Sequence, residues 1–343
     1  MKKACWFVTV LLVVMMFYYS DNSQAGQPGA NPNASRTLVF VPKTTNSQFW
    51  VAIWEGAKRA GKELGYKDVL FQGVASGSDV VGQLNLLNDV ATSKPAGILL
   101  AAIDSKSLKD PVEKAIASGV PVVTVNSGVG SDKVKIHVAT DNYSTAAAAA
   151  DALAGMMGKK GLVADIGIDA GSQTGREREN GFRDTMTKKY PDIKVLPVQY
   201  SMGDVSKAMN IISDLLTGNP TIAGIYGAQD VGGTGVAQLL KQRGRTVKDK
   251  IKVIAFDASP DEFLLFLDGY IDVLVVQDPF SQGYQGVYAI DAVINGKPIA
   301  QNFIATPAKL ITKQNIAEPE IYDLLANTAV IKKIMDDKGI KRK

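Results

Sequence analysis

The sequence predicts an α/β protein made of two doubly wound parallel-sheet lobes, and three observations carry that prediction. Apolar runs of four to six residues alternate with amphipathic helical stretches, the pattern of strands buried on both faces. The alternation comes as two successive series, and 343 residues exceed what one hydrophobic core usually organises. Polar side chains recur just past the strands, at the edge where such a fold opens a cleft.

The first strand is predicted at 37–41. After it, Phe49, Ile53, Ala57, Ala60 and Leu64 share one helical face, while Glu55, Lys58, Arg59 and Lys62 share the other. Strand-like runs follow at 69–72, 97–101 (GILLA), 121–125 (PVVTV) and 135–138, with helical stretches at 79–92 and 107–118 separating the first three. The second series opens with an alanine-rich helix at 143–157, then strand 162–167, helix 176–190, strand 193–199 and helix 204–217. It continues through strand 221–226, helix 232–242, strand 252–256, helix 260–268, strand 273–277 and a helix at 279–294. Beyond these, PEIYDLL has a helical pattern, and the charge-rich KKIMDDKGIKRK is expected as a solvated helix or a disordered end.

The 38 basic and 34 acidic residues are scattered, with no basic stripe interleaved with aromatics, so nucleic acid is not an expected partner. Lys2 and Lys3 precede an apolar run from Ala4 to Tyr19, and Ser23-Gln24-Ala25 offers small residues where a signal peptidase reads. That run is shorter than the roughly 20 residues of a membrane span, so residues 1–25 are read as a cleaved secretory signal. The lone Cys5 lies at the start of the run, whereas a lipid anchor needs a cysteine at its end. The mature chain then has no thiol for a disulfide or a thiolate metal site. Residues 26–35 (GQPGANPNAS) read as a flexible leader.

Enzymatic constellations are mostly missing. His137 has no second histidine or cysteine to share a metal with and is expected to be structural. No G-x-S-x-G, G-x-x-x-x-G-K-[ST] or H-E-x-x-H motif occurs, and Gly232, Gly233 and Gly235 have the wrong spacing for a dinucleotide loop. No cofactor is expected. The strand ends instead carry Lys43 to Trp50, Asp104, Asn126 with Ser127, Gln229 with Asp230, Asp257, and Gln277 with Asp278. Such residues offer several hydrogen-bonding atoms each, and charged partners roughly double the strength of bonds to neutral hydroxyls. An aromatic ring packs on the apolar C–H face of a sugar. In "VPKTTNSQFW", Phe49 and Trp50 are read as that platform and Lys43 with Asn46 or Ser47 as a polar clamp, with a core role for Phe49 as the other reading.

Taken together, "KTTNSQFW", "EGAKRAGKELGY", "GVPVVTVN", "HVATDN", "GSQTGRERENGF", "VIAFDASPDE" and "VVQDPFSQG" occur in an order that resembles the periplasmic sugar-binding proteins of the ribose, allose and galactose type, the receptors of ABC importers. The resemblance runs from about Arg36 to Thr312. It implies that Lys43, Ser47, Phe49, Trp50 and Asn126 line one side of a ligand pocket, and Arg178, Gln229, Asp257 and Gln277 the other. It also implies a three-strand hinge near Thr140-Asp141, Gln277-Asp278 and Thr306-Pro307. The N-terminal lobe is then 36–140 plus 278–306, the C-terminal lobe 141–277 plus 307–328, and 329–343 a charged tail.

Three departures bear on the ligand. Asn126-Ser127 stands where ribose binders have Asp-Arg, Gln229 where an asparagine is usual, and Gly203 where an aromatic precedes the helix, with Tyr200 or Met202 as substitutes. A roomier and less ionic pocket follows, and Lys43 agrees better with allose-like or autoinducer-like members. The expected function is an exported, monomeric, periplasmic receptor for a neutral monosaccharide or polyol, with a membrane ABC permease as partner and a chemoreceptor as a second. A secreted sugar-active enzyme and an autoinducer-type receptor are the alternatives. A transcription regulator shares the fold, but an apolar segment occupies the place of its DNA-binding helices.

Overall fold

In the computed structural model, residues 31–244 and 251–343 are described; the expected export signal, 1–25, and residues 26–30 of the expected leader lie outside them. The first lobe begins with β1 (Thr37–Val41), α1 (Gln48–Glu63), β2 (Asp68–Phe71), α2 (Val80–Thr92), β3 (Gly97–Leu100), α3 (Lys109–Ala117), β4 (Val122–Val125) and β5 (His137–Thr140). The chain continues with α4 (Asn142–Met156), β6 (Gly161–Gly167), α5 (Gln173–Lys189), β7 (Ile193–Val195), β8 (Gln199–Tyr200), α6 (Val205–Gly218), β9 (Ile222–Gly227) and α7 (Asp230–Gln242). It ends with β10 (Lys252–Phe256), α8 (Pro260–Asp268), β11 (Val273–Gln277), α9 (Pro279–Ile294), β12 (Phe303–Thr306), β13 (Ala308–Ile311), α10 (Pro319–Ala326) and α11 (Ala329–Asp337).

Two sheets result, ordered β12-β5-β4-β3-β1-β2 and β13-β11-β10-β9-β6-β7, with β8 added beside β6. The orders correspond strand for strand, so β1 matches β6, β3 matches β9, β4 matches β10 and β5 matches β11. All pairings are parallel except β13 against β11. The chain passes between the sheets at Thr140-Asp141, Gln277-Asp278 and Pro307, where β12 of one sheet leads directly into β13 of the other.

Each sheet is covered on both faces by helices, as continuous apolar strands require. Leu38, Phe40, Val123 and Val138 pack with α1 and α9 on one face of the first sheet, and Val39, Ile98, Leu100 and Val122 with α2 and α3 on the other. Burying each such side chain contributes roughly 1.5–3 kcal/mol. Helices α1 and α9 lie close because glycine permits backbone contact; a Cβ on Gly283 would sit 1.7 Å from the Ile53 carbonyl oxygen, and one on Gly56 2.0 Å from that of Phe280.

Three local expectations change. The strand predicted at 193–199 breaks into β7 and β8 around Pro197, which has no N–H for a ladder. The leader does not run freely to residue 35, because Asn33 is buried and its Nδ2 donates to the Leu64 carbonyl at 3.0 Å. The charged tail is not merely solvated. Ile331 and Met335, four residues apart in α11, are buried in the second lobe's core with Phe263 and Phe266 of α8. Its charges face outward as the pairs Lys332–Asp336 and Lys333–Asp337.

Candidate functional site

The carboxyl ends of the two sheets face each other across a cleft of about 580 Å³, a volume usual for small-molecule sites. All nine sequence-predicted residues line it: Lys43, Ser47, Phe49, Trp50 and Asn126 from the first lobe, and Arg178, Gln229, Asp257 and Gln277 from the second.

On the second lobe, α5 carries Arg178 inward, 2% exposed, with its guanidinium 3.9 Å from the centre of the Phe256 ring. Its Nε donates to Asn142 Oδ1 at 2.9 Å and its Nη1 to the Ala228 carbonyl at 2.7 Å. Nη1 also lies 3.7 Å from Asp257 Oδ2. These bonds leave the fork little freedom, so Asp257 meets a fixed positive charge rather than a swinging one. Gln277 Nε2 donates to Asp257 Oδ1, and Gln277 Oε1 accepts from Thr140 Oγ1 at 3.0 Å.

The network crosses the hinge. Gln282, buried on α9, approaches Thr140 Oγ1 and Gln277 Oε1 with its Nε2, each at 3.4 Å, and its Oε1 accepts from Asn126 Nδ2 at 3.2 Å. One chain of polar contacts therefore ties Asn126 of one lobe to Asp257 and Arg178 of the other. The lobes also touch directly: Thr174 Oγ1 donates to the Asn126 carbonyl at 2.9 Å, and Arg176 Nη2 donates to Ser105 Oγ at 2.8 Å.

The first lobe supplies a cation and two rings. Lys43 forms no hydrogen bond or ion pair among the described residues, and burial lowers its ammonium to about 8 against the opposing pull of Asp169. Ser47 caps α1, its Oγ accepting from the Phe49 N–H at 3.3 Å, which fixes how the aromatic pair enters the helix. Both rings line the cleft, but they are buried to different degrees. Trp50 is only 7% exposed and packs against Phe40 in the core, whereas Phe49 is half-buried and meets Trp50 edge-on at 5.2 Å. Phe49 is thus the ring better presented to the cleft, because Trp50 points back toward β1 from the next position of the helix.

Gln229 donates from Nε2 to Ser201 Oγ at 3.0 Å, and Tyr200, Met202 and Gly203 also line the cleft. Tyr200 gives its hydroxyl to Glu179 at 2.9 Å. His137 shares a 2.9 Å contact between Nδ1 and Thr124 Oγ1, and burial lowers it to about 4, in keeping with a structural residue.

Sequence reading missed Asp169, Thr174 and Gln282. Asp169 follows β6, so the strand-end rule that picked out Asp257 identifies it too; its Oδ1 accepts from the N–H groups of Gly171 and Ser172 at 2.8 and 2.6 Å. Thr174 and Gln282 sit within helices and give no such signal. Asp230, noted beside Gln229, lines the cleft at the start of α7; burial and then the charge of Asp257 push its carboxyl up to about 7. Among the described residues no cluster of metal-ligating side chains occurs.

A cleft closed by two matching sheets around buried polar groups defines a bilobed ligand-enclosing receptor. The chain belongs to the family of the periplasmic binding protein domain, whose profile matches residues 38–298. It is 28% identical over 319 residues to the ribose import binding protein of Bacillus subtilis, covering 92% of this chain and all of that relative. It is 30% identical to the D-allose-binding periplasmic protein of Escherichia coli, over 78% of this chain and 87% of that one. Among solved structures, a carbohydrate transporter solute-binding protein from Agrobacterium radiobacter in complex with D-arabinose superposes with a TM-score of 0.80 at 34% identity, covering 85% of this chain and 99% of the other. An Agrobacterium vitis ABC transporter solute-binding protein bound to α-D-tagatopyranose gives 0.79 at 31% identity, covering 84% and 99%.

Proposed function

We propose that this protein is an exported receptor that captures a neutral monosaccharide or polyol between its lobes and delivers it to a membrane ABC permease. The observation that carries this reading is the Arg178–Asp257–Gln277 group opposite Phe49. It offers fixed donors and acceptors for ring hydroxyls on one side and an apolar face for the sugar C–H surface on the other. Two relatives are named for ribose and D-allose and a similar solved structure is in complex with D-arabinose, which supports the same ligand class here. Lys43, Ser47, Asn126 and Gln229 complete the assignment, and Trp50 acts from behind Phe49. The lobes close by hinge motion, and only the closed pair of lobe surfaces fits the permease in register. The chain works as a monomer in the periplasm, without lipid, after loss of residues 1–25, and a chemoreceptor is a second partner.

A ligand that binds only the folded state raises the melting temperature. The purified protein is therefore scanned with D-ribose, D-allose, D-arabinose, D-tagatose and xylitol. A saturable rise with at least one supports the assignment, and no shift with any of them at millimolar concentration overturns it.

A second reading, a sugar-cleaving enzyme, draws on Asp230, whose raised carboxyl neighbours Asp257 as an acid–base pair requires. Against it, Asp257 is already engaged by Arg178 and Gln277. Recovery of the bound sugar unchanged after prolonged incubation separates binding from turnover.

A further inference from the structure

Behind the ligand cleft lies a second, smaller cavity of about 40 Å³, and Phe49, Asp230, Asp257 and Gln277 line both. Its near side is the first turn of α1, with Gln48 and Phe49, and Pro279 at the start of α9, all parts of the first lobe's helices. Its far side is Leu324, Leu325, Thr328 and Ile331 of α10, α11 and their junction. These two helices lie beyond the residues matched by the family profile, yet they are anchored in the second lobe by buried Ile321, Leu325, Ile331 and Met335. A piece of the second lobe thus faces the first lobe's opening helix turn across the hinge, directly behind the ring best placed to contact ligand.

We propose that the α10–α11 pair is a rear stop for hinge closure: the first turn of α1 seats toward it as the lobes close, and the residual gap sets the closed angle. This inference rests on the bilobed closure reading above. Packed elements do not deform continuously, so a gap of this size tolerates small changes and resists large ones. Half-buried Leu324 and Thr328 both face the gap; Leu324 also packs on the edge of the second lobe's core, whereas Thr328 lies outside that core and so separates the stop from the fold. The same position also makes the pair a backing for Phe49, so the closed angle and the ligand platform are set together.

The test uses the full chain with Cys5→Ser and spin labels on cysteines introduced by Lys109→Cys and Lys207→Cys, exposed positions on opposite lobes and outside the cleft lining. Inter-label distances are measured with and without the sugars of the panel above. Leu324→Trp and Thr328→Trp, separately, are expected to shift the distance distribution toward longer values and to weaken by tenfold or more any sugar that the parent binds. Melting temperatures of the sugar-free variants check that each has folded, and the second variant keeps the test alive if the first has not. Unchanged distance distributions in the folded variants overturn the stop. A parent that shows a closed population but no sugar-dependent melting shift counts against the ligand reading alone, and a parent with no closed population, with or without sugar, overturns the stop.

Discussion

Asn126 and Asp257 occupy equivalent places in opposite lobes, one residue past β4 and one past β10, and both have positive φ, at 63° and 80°. The left-handed region is costly for most side chains and least so for glycine, asparagine and aspartate. At each strand end the chain bends sharply, and a short polar side chain is kept at the cleft. The two lobes use the same backbone device for different chemistry, a neutral amide on one side and a carboxylate on the other.

Replacing Asn126 separates that backbone role from the side chain's. Asn126→Gly keeps the bend and is expected to melt within a few degrees of the parent, whereas Asn126→Val costs about 1–2 kcal/mol from the left-handed strain alone. Thermal denaturation of the two variants checks this order, and equal melting temperatures contradict it.

Asp257→Asn retains a residue suited to positive φ but removes the charge facing Arg178. Sugar affinity is expected to fall by at least tenfold, about 1.4 kcal/mol, in titration calorimetry. Asp257→Ala is expected to lose at least ~2 kcal/mol of binding, because the buried guanidinium then lacks its counter-charge. Affinity unchanged in both removes Asp257 from the site.

Arg178→Lys tests whether the planar fork matters or only the charge. A lysine cannot bond Asn142, Ala228 and Asp257 with one fixed geometry, nor lie flat on Phe256. The variant is expected to lose about 2–4 kcal/mol of stability and most of its sugar binding, read by denaturant unfolding and calorimetry.

The aromatic pair divides by burial. Trp50→Ala opens a cavity beside Phe40 and is expected to cost about 3–5 kcal/mol of stability. Phe49→Ala is expected to weaken sugar binding more than it lowers the melting temperature. The opposite ranking restores Trp50 as the ligand's platform.

Asp165 in β6 is fully buried, with Oδ1 unpartnered and Oδ2 3.5 Å from Arg183, and burial raises its carboxyl to about 7. The folded state then holds a proton that the unfolded state releases at its ordinary, lower value, so this group's contribution to stability falls as pH rises to about 7 and stays low above it. Asp165→Asn is expected to stabilise the protein by about 1–3 kcal/mol at pH 8, with the gain shrinking as pH falls below 7. His137 acts in the opposite sense. Lowered to about 4, it loses stability as pH falls from its ordinary value toward 4, so the melting-temperature profile of His137→Gln is expected to be flatter there.

Much of the fold is legible locally because each strand is a short run buried on both faces and each helix declares a stripe. Val122–Val125 and Lys252–Phe256 can hardly be read otherwise. The strand-end rule reaches Asn126 and Asp257 because a polar residue straight after an apolar run is conspicuous. It does not reach Gln282 or Thr174, since a polar residue within a helix shows its direction only after the helix is packed. Trp50 and Phe49 show the same limit, as adjacent residues on one turn that the sequence cannot apportion between core and cleft.

The sequence by itself determined the alternation of elements, their division into two series and the polar chemistry at the strand ends, because periodicity and burial act over a few residues. Only the tertiary structure decided the bond chain from Asn126 through Gln282 to Asp257 and the seating of α10 and α11 behind Phe49. Those depend on contacts between residues far apart in the chain, whose meeting is fixed by the packing of whole elements and not by any local preference.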